Sequence, residues 1–272
     1  MRICGVGDNV VDRYYIQKLM FPGGNAVNFA VHAQRSGMTS AYIGVIGTDS
    51  DGDLIKSSLQ AEGVELKHLR VVEGPNAFAT VQMDDDGTNR KWGLCEKGVS
   101  LFQLDSADLK YLGGFDLAHT GETSRLDSQL AEIRERVAIS FDFSDRDLEY
   151  ARGVLPYVKV AAFSRSDADE SEIARLLDTA HAAGVELVTI TQGARGATVS
   201  HKGKMLFVPA VSVEAIDTLG AGDAFVSRLA CRVLSGVSLA EAGKDAAQYS
   251  ALICKTRGAF GHARPITRDI PL

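Results

Sequence analysis

Cysteine is scarce. The chain of 272 residues holds four, Cys4, Cys95, Cys231 and Cys254, placed so far apart that no CxxC pair and no Cys/His cluster of zinc spacing can be drawn. That excludes a disulfide-stapled scaffold, and buried free thiols are expected. A basic excess is missing as well: 29 Lys and Arg are set against 35 Asp and Glu, a net charge of -6, and the cations are scattered among the acids. Without a basic stripe, nucleic acid is not an expected partner. Apolar runs are broken by Gly, Ser or charge well short of the roughly 20 residues that span a bilayer. Met1-Arg2-Ile3-Cys4-Gly5 opens a strand rather than a signal peptide. No membrane partner is expected, and the reading is cytoplasmic. The six histidines include no HExxH or other ligand spacing, and Asp84-Asp85-Asp86-Gly87 lacks the alternation of a calcium loop. Neither set points to metal catalysis. There is no internal repeat, low-complexity tract or Pro/Ser-rich linker to mark a boundary between independent domains.

What is present suits one sizeable core: 45% hydrophobic and 24% charged residues are ordinary values for a globular domain. β-rich runs at 2–6, 41–46, 137–142, 158–163 and 187–191 alternate with amphipathic stretches, which predicts βαβ units and a mostly parallel sheet. Helices are predicted at 25–36, closed by Gly37, at 170–183, closed by Gly184, and near 221–234 and 239–255. Two runs, 77–83 and 88–94, break the alternation and read as an antiparallel hairpin turning at Asp86-Gly87, a small lid inserted in a single domain.

The segment Ile216-Asp217-Thr218-Leu219-Gly220-Ala221-Gly222-Asp223-Ala224-Phe225 places small residues and a carboxylate at the start of an apolar helix. Backbone N–H groups of Gly220, Ala221 and Gly222 at such a start lack intrahelical acceptors and favour an anion such as a phosphate. Asp223 beside them can accept a proton from an attacking hydroxyl. The same residues taken alone also describe a tight glycine turn with an acid that complements the helix dipole. Three other segments carry similar pairs of readings. Gly23-Gly24-Asn25-Ala26-Val27-Asn28 offers close backbone approach and two amides able to pair with sugar hydroxyls, or a helix cap at Asn25. Asp8 and Asp12 after the first strand can bind hydroxyls or form a turn. Thr191-Gln192-Gly193-Ala194-Arg195-Gly196 is a glycine-rich turn after a strand. Gly5-x-Gly7 suggests a dinucleotide site, but Val10 stands where its third glycine belongs.

Asp-Thr-x-Gly-Ala-Gly-Asp before an apolar helix resembles the signature of the PfkB, or ribokinase-like, carbohydrate kinases, and Phe21-Pro22-Gly23-Gly24-Asn25-Ala26-Val27-Asn28 resembles their N-terminal signature. The resemblance runs from the first strand to Gly261. It implies a three-layer α/β/α fold with a mostly parallel central sheet and a small β lid, a single domain over 1–272 with lid elements near 13–20 and 77–98. It also implies ATP-dependent phosphorylation of a sugar. Asp223 is then the catalytic base, with Gly220, Ala221 and Gly222 as the anion hole. Asp8, Asp12, Gly24, Asn25 and Asn28 bind the sugar, while Thr191, Gly193, Gly196 and Gly258 border ATP. Asp217 matches an aspartate that holds a monovalent cation such as K+. For Mg2+ the family commonly shows Asn-x-x-Glu, whereas this chain reads Ser164-Arg165-Ser166-Asp167, and its Asp142-Phe143-Ser144 stands where Asp-x-Asn is usual. Asp142 and Asp167 are left with indirect Mg2+ roles. Gly7-Asp8-Asn9-x-x-Asp12 and Phe141-Asp142-Phe143-Ser144-Asp145 narrow the resemblance to fructoselysine 6-kinases, which act on the 6-hydroxyl of fructosamines. A kinase for another sugar or nucleoside (fructose, ribose, adenosine) and a silent sugar-binding regulator stand as alternatives. A homodimer formed through exposed lid edges is the expected assembly.

Overall fold

A computed structural model describes residues 1–83 and 90–266. The chain enters through strands β1 (Arg2–Val6), β2 (Val10–Tyr14) and β3 (Leu19–Gly23), then helix α1 (Asn25–Arg35), β4 (Thr39–Ile46), α2 (Ser50–Ala61) and β5 (Glu65–Val71). The hairpin β6 (Phe78–Met83) and β7 (Arg90–Glu96) follows, and its expected turn at 84–87 lies outside the described residues. Next come α3 (Ser106–Leu112), β8 (Leu117–Gly121), α4 (Leu130–Arg134), β9 (Ala138–Asp142), α5 (Leu148–Val154), β10 (Val160–Ser164), α6 (Glu170–Ala182) and β11 (Leu187–Thr191). The chain continues through β12 (Gly196–His201), β13 (Lys204–Pro209), α7 (Ala221–Leu234), α8 (Leu239–Ile253) and β14 (Arg264–Pro265).

Local chemistry accounts for the boundaries. The Asp49 and Asp169 side chains accept from the backbone N–H of Gly52 and Glu172 and start α2 and α6. Gly37 and Gly184, both at positive φ, end α1 and α6 where the sequence places the stops. Helix α8 is shorter than predicted because Lys255 and Thr256 tighten into bonds to Leu252 and Ile253 carbonyls.

Nine strands form one sheet in the order β13-β12-β11-β10-β9-β8-β1-β4-β5, parallel except for β12 and β13. Side chains alternate between two apolar layers. Val160 and Ala162 of β10 join Phe29, Phe225 and Leu229 on one face, while Ala161 and Phe163 join Ile133, Leu176 and Leu177 on the other. A sheet covered on both faces in this way is the three-layer architecture that the resemblance implied. After β1 the chain runs outward through β4 and β5, then returns to add β8 to β11 on the opposite side. The crevice beyond the carboxyl ends of β1 and β8 is therefore the switch point where ligands bind such sheets.

The second sheet, β14-β3-β2-β6-β7, is the lid. It holds more than the expected hairpin, because β2 leaves the main sheet directly after β1. That junction is anchored: Asn9 Nδ2 donates to Val45 O at 2.7 Å, and the buried Tyr42 hydroxyl donates to Gly7 O at 2.7 Å. Gly5 serves packing, since a Cβ there would sit 2.2 Å from Ala26 O of α1. The thiols divide: Cys4 and Cys231 are buried, whereas Cys95 is exposed on β7 and Cys254 is partly exposed, against the expectation of four buried ones. Among the described residues no helix is long and apolar enough to cross a membrane.

Candidate active site

Asp8, the segment from Gly121 to Ser124, Asp142, Ser164 and Thr191 follow or end β1, β8, β9, β10 and β11, so the crevice collects one polar group from each carboxyl end. Asp8 is 4% exposed, and its Oδ1 accepts from Ser124 Oγ at 2.8 Å and Thr123 Oγ1 at 3.0 Å. Asp12, buried on β2, lies against Gly23 of β3. Gly24 precedes α1 and packs on the backbone of Asp8 and Asn9. These contacts bring Asp8 and Gly24 together at the sheet end, with Asp12 above them in the lid.

Helix α7 begins at Gly220, whose φ of 73° and close approach to Ala259, 2.4 Å from any added Cβ, both require glycine. No side chain caps this helix. Apart from the Ala221 N–H, which donates to Thr218 O at 3.3 Å, its first-turn amides are thus not spent on a cap and could meet an anion. Asp223 in that turn faces α1: Asn28 Nδ2 donates to its Oδ2 at 2.6 Å and Asn25 Nδ2 to its Oδ1 at 3.1 Å. The same Asn25 amide donates to Asp142 Oδ2 at 2.7 Å. Asn25, Asn28, Asp142 and Asp223 are therefore one hydrogen-bonded group.

Two carboxylates sharing one amide raise each other's cost of ionisation. Loss of water around Asp142 and the neighbouring Asp223 charge push its carboxyl up to about 7, against a backbone N–H from Ser144 at 2.7 Å that works the other way. A cation beside such a pair would offset that cost. Direct ligation is another matter: among the described residues no group of three or more His, Cys, Asp or Glu side chains converges as a metal cage would. Asp142 suits outer contacts to a hydrated Mg2+. Asp167 stands apart on the exposed loop after β10, where Ser166 Oγ donates to it at 3.3 Å. Arg165 in that loop donates to the carbonyls of Ser144 and Ser164 at 2.9 and 2.8 Å, tying it to the end of β9.

On the other side of the α7 start lies a cavity of about 590 Å³. Thr191, Gly193 and Gly196 line it together with Ala221 and Gly222, and Val208, Phe225, Ala247 and Ala251 give it apolar walls suited to a planar base. Gly258 lies elsewhere. Its N–H donates to Asp217 Oδ2 at 2.8 Å, and its missing Cβ leaves room for Phe21. Asp217 is fully buried; Leu219 N–H donates to its Oδ1 at 2.9 Å and the lid's Tyr14 hydroxyl to its Oδ2 at 2.7 Å. The carboxylate expected to hold K+ is thus already a lock between the lid and the turn before α7.

Sequence reasoning passed over His119, Ser140, Thr123, Ser124 and Tyr14. The signal available was polarity inside buried strand segments: His119 follows Leu117-Ala118, Ser140 lies between Ile139 and Phe141, and buried polar groups need partners.

Comparison with known proteins agrees with this geometry. Residues 17–264 match the pfkB family of carbohydrate kinases. The chain is 38% identical over 271 residues to fructosamine kinase FrlD of Bacillus subtilis (strain 168), covering 97% of this chain and 95% of that one. It is 30% identical to the fructoselysine 6-kinase of Escherichia coli (strain K12), over 92% and 95% of the two chains. Among solved structures, the Arabidopsis thaliana ribokinase complexed with ribose and ATP superposes with a TM-score of 0.80 at 19% identity, covering 95% of this chain and 94% of that one. A fructokinase from Vibrio cholerae O395, in its fructose, ADP and potassium form, gives 0.77 at 25% identity over the same shares. The start of α7 lies open on one side to the cavity and on the other to clustered Asp and Asn side chains, and with these likenesses the chain belongs to the pfkB family of carbohydrate kinases.

Proposed function

We propose that this kinase transfers the γ-phosphoryl group of ATP to the 6-hydroxyl of a fructosamine such as fructoselysine. The observation that carries the reading is Asp223 at the bare start of α7, between the 590 Å³ cavity and the Asn25, Asn28 and Asp142 group. Asp8, Asp12 and the α1 amides hold the sugar beneath the lid. The adenine end of ATP enters the apolar cavity, and its phosphates meet the first-turn N–H groups of α7. Asp223 takes the proton from the primary hydroxyl as that oxygen attacks in line, and the Gly220 to Gly222 backbone stabilises the charge on the transferring group. Mg2+, when bound beside Asp142, supplies neutralisation of phosphate charge. The fructosamine assignment draws on the likeness to the Bacillus subtilis and Escherichia coli enzymes, both named for such substrates. Exposed Cys95 and half-exposed Cys254 suit a reducing cytoplasm.

The test is ADP release with Mg-ATP across fructoselysine, fructose-asparagine, fructose, ribose and adenosine. Turnover of the fructosamines well above the rest is expected. Activity confined to ribose or adenosine would keep the phosphoryl-transfer chemistry and remove the substrate, and silence on all five would favour a sugar-binding regulator.

Trp92 and Leu94 are 56% and 49% exposed on β7, the border strand of the lid sheet. Apolar side chains on a sheet border favour pairing with a second copy. Sedimentation velocity at micromolar concentration is expected to give a dimer that Trp92→Lys converts to monomer. Monomer in the unmodified protein would remove the proposal.

A further inference from the structure

His119 sits in the middle of β8, 1% exposed. Its ring stacks on Phe29 of α1, centroids 3.7 Å apart and planes 7° from parallel. Nε2 lies 2.9 Å from Asn25 Oδ1, and Nδ1 lies 2.8 Å from Ser140 Oγ of β9. These contacts determine where each proton is. Asn25 Nδ2 is committed to Asp142 and Asp223, which accept, so its carbonyl end must face His119. A carbonyl only accepts, so Nε2 carries the imidazole proton. Burial pushes the ring's pKa down to about 3, so it is neutral, with a single N–H. Nδ1 is then bare and takes its hydrogen bond from the Ser140 hydroxyl. The result is one directed chain, Ser140 to His119 to Asn25 to the paired carboxylates.

We propose that His119 is a positioning residue for phosphoryl transfer, fixing through its Nε2 hydrogen bond which end of the Asn25 amide faces Asp142 and Asp223. Without that donor the Asn25 carbonyl loses its partner, and only the two carboxylates oppose the amide's turning over. A turned amide places Oδ1 against both carboxylates, repelling them and releasing the geometry of Asp223, with which Asn25 otherwise shares an N–H. The stacking on Phe29 has a matching purpose. Phe29 O accepts from Ser227 Oγ of α7 at 3.1 Å, so the ring rests on the seam joining α1 to the helix that carries Asp223. The proposal rests on Asp223 acting as the base, and its test separates the two.

His119→Phe keeps an aromatic ring able to stack on Phe29, somewhat larger than the imidazole, while deleting both hydrogen bonds. His119→Gln keeps a donor close to the Nε2 position. The expected result is a kcat lowered about 10- to 100-fold in H119F, in line with the cost of misplacing a reacting group by about 1 Å. KM for ATP should stay unchanged, because no cavity wall is touched. H119Q should recover most of the kcat. Thermal midpoints of both variants and the kinetics of Asp223→Asn are measured alongside. A near-normal kcat in H119F, or equal losses in H119F and H119Q, overturns the proposal when Asp223→Asn is inactive; an active Asp223→Asn instead overturns the assignment of the base. Should H119F fail to fold, Ser140→Ala decides. It breaks the far link of the chain by taking from Nδ1 its hydroxyl partner, and a kcat several-fold lower with unchanged KM supports the chain, whereas an unaltered kcat overturns it.

Discussion

Replacing Asp223 by Asn is expected to lower kcat by about 10²–10⁴, the usual contribution of a positioned general base, while KM for ATP changes little. The side chain keeps its shape while losing the proton acceptor. One consequence reaches beyond the base. Both Asp223 oxygens accept amide N–H groups, from Asn28 at 2.6 Å and Asn25 at 3.1 Å. An Asn can satisfy one of them with its carbonyl but turns its own N–H groups towards the other. The variant also removes the charge that helps hold the Asp142 proton, so that carboxyl should titrate lower. The sign for stability follows from Asp142 keeping its proton in the fold above the unfolded carboxylate range of about 4. Its contribution is greatest at low pH and is lost as pH rises from there towards about 7. Thermal melts between pH 5 and 8 should therefore show a flatter pH dependence in Asp223→Asn than in the parent protein. Steady-state kinetics decide the main point, because unchanged turnover would remove Asp223 from the mechanism.

The legible parts of this chain were those whose determinants are local. Strands Arg2–Val6 and Leu187–Thr191 and helix Ala221–Leu234 follow from short apolar runs and bounding glycines, and their observed limits agree with the sequence reading. The run 137–142 begins one residue later because Val137 N–H still bonds back to Ile133 O in the turn after α4. Strand β5 escaped notice: Glu65-Leu66-Lys67-His68-Leu69-Arg70-Val71 lies at the sheet border, half-buried apart from exposed Lys67 and Val71, and so lacks the alternation that marks a strand. β2 and β3 were read only as lid elements near 13–20, because nothing local tells a strand leaving the main sheet from one continuing it. The site divides in the same way. Asp223 and its glycines are written within one turn, but the Tyr14 bond to Asp217 spans 203 residues and the His119 bond to Asn25 spans 94. Such pairs are products of topology, and no window of sequence contains both partners.

The same long-range logic governs how the lid is held, and Arg13→Leu is expected to cost about 3–5 kcal/mol of stability, the usual result of breaking a buried ion pair. Arg13 alternates with Asp12 and Tyr14 along β2. Where those serve the crevice, its Nη2 donates to Asp51 Oδ2 at 2.8 Å, with the two side chains 4% and 1% exposed. The guanidinium lies 3.8 Å over the Phe78 ring, so a single residue ties β2 to both α2 and β6. Burial, helped by the Asp49 charge, raises the Asp51 carboxyl, and Arg13 works against that rise. In the Leu variant the carboxylate remains buried without its cation, and its pKa climbs further. A folded-state pKa above the unfolded value means that protonation favours the fold, so the deficit should shrink as pH falls from 8 towards 5. Replacing both partners, Arg13→Leu with Asp51→Leu, removes the stranded charge and should recover much of the loss. Urea midpoints at pH 5 and 8 for the single and double variants test this. A deficit independent of pH, or a double variant no better than the single, would show that Arg13 contributes by its packing on Phe78 rather than by its charge.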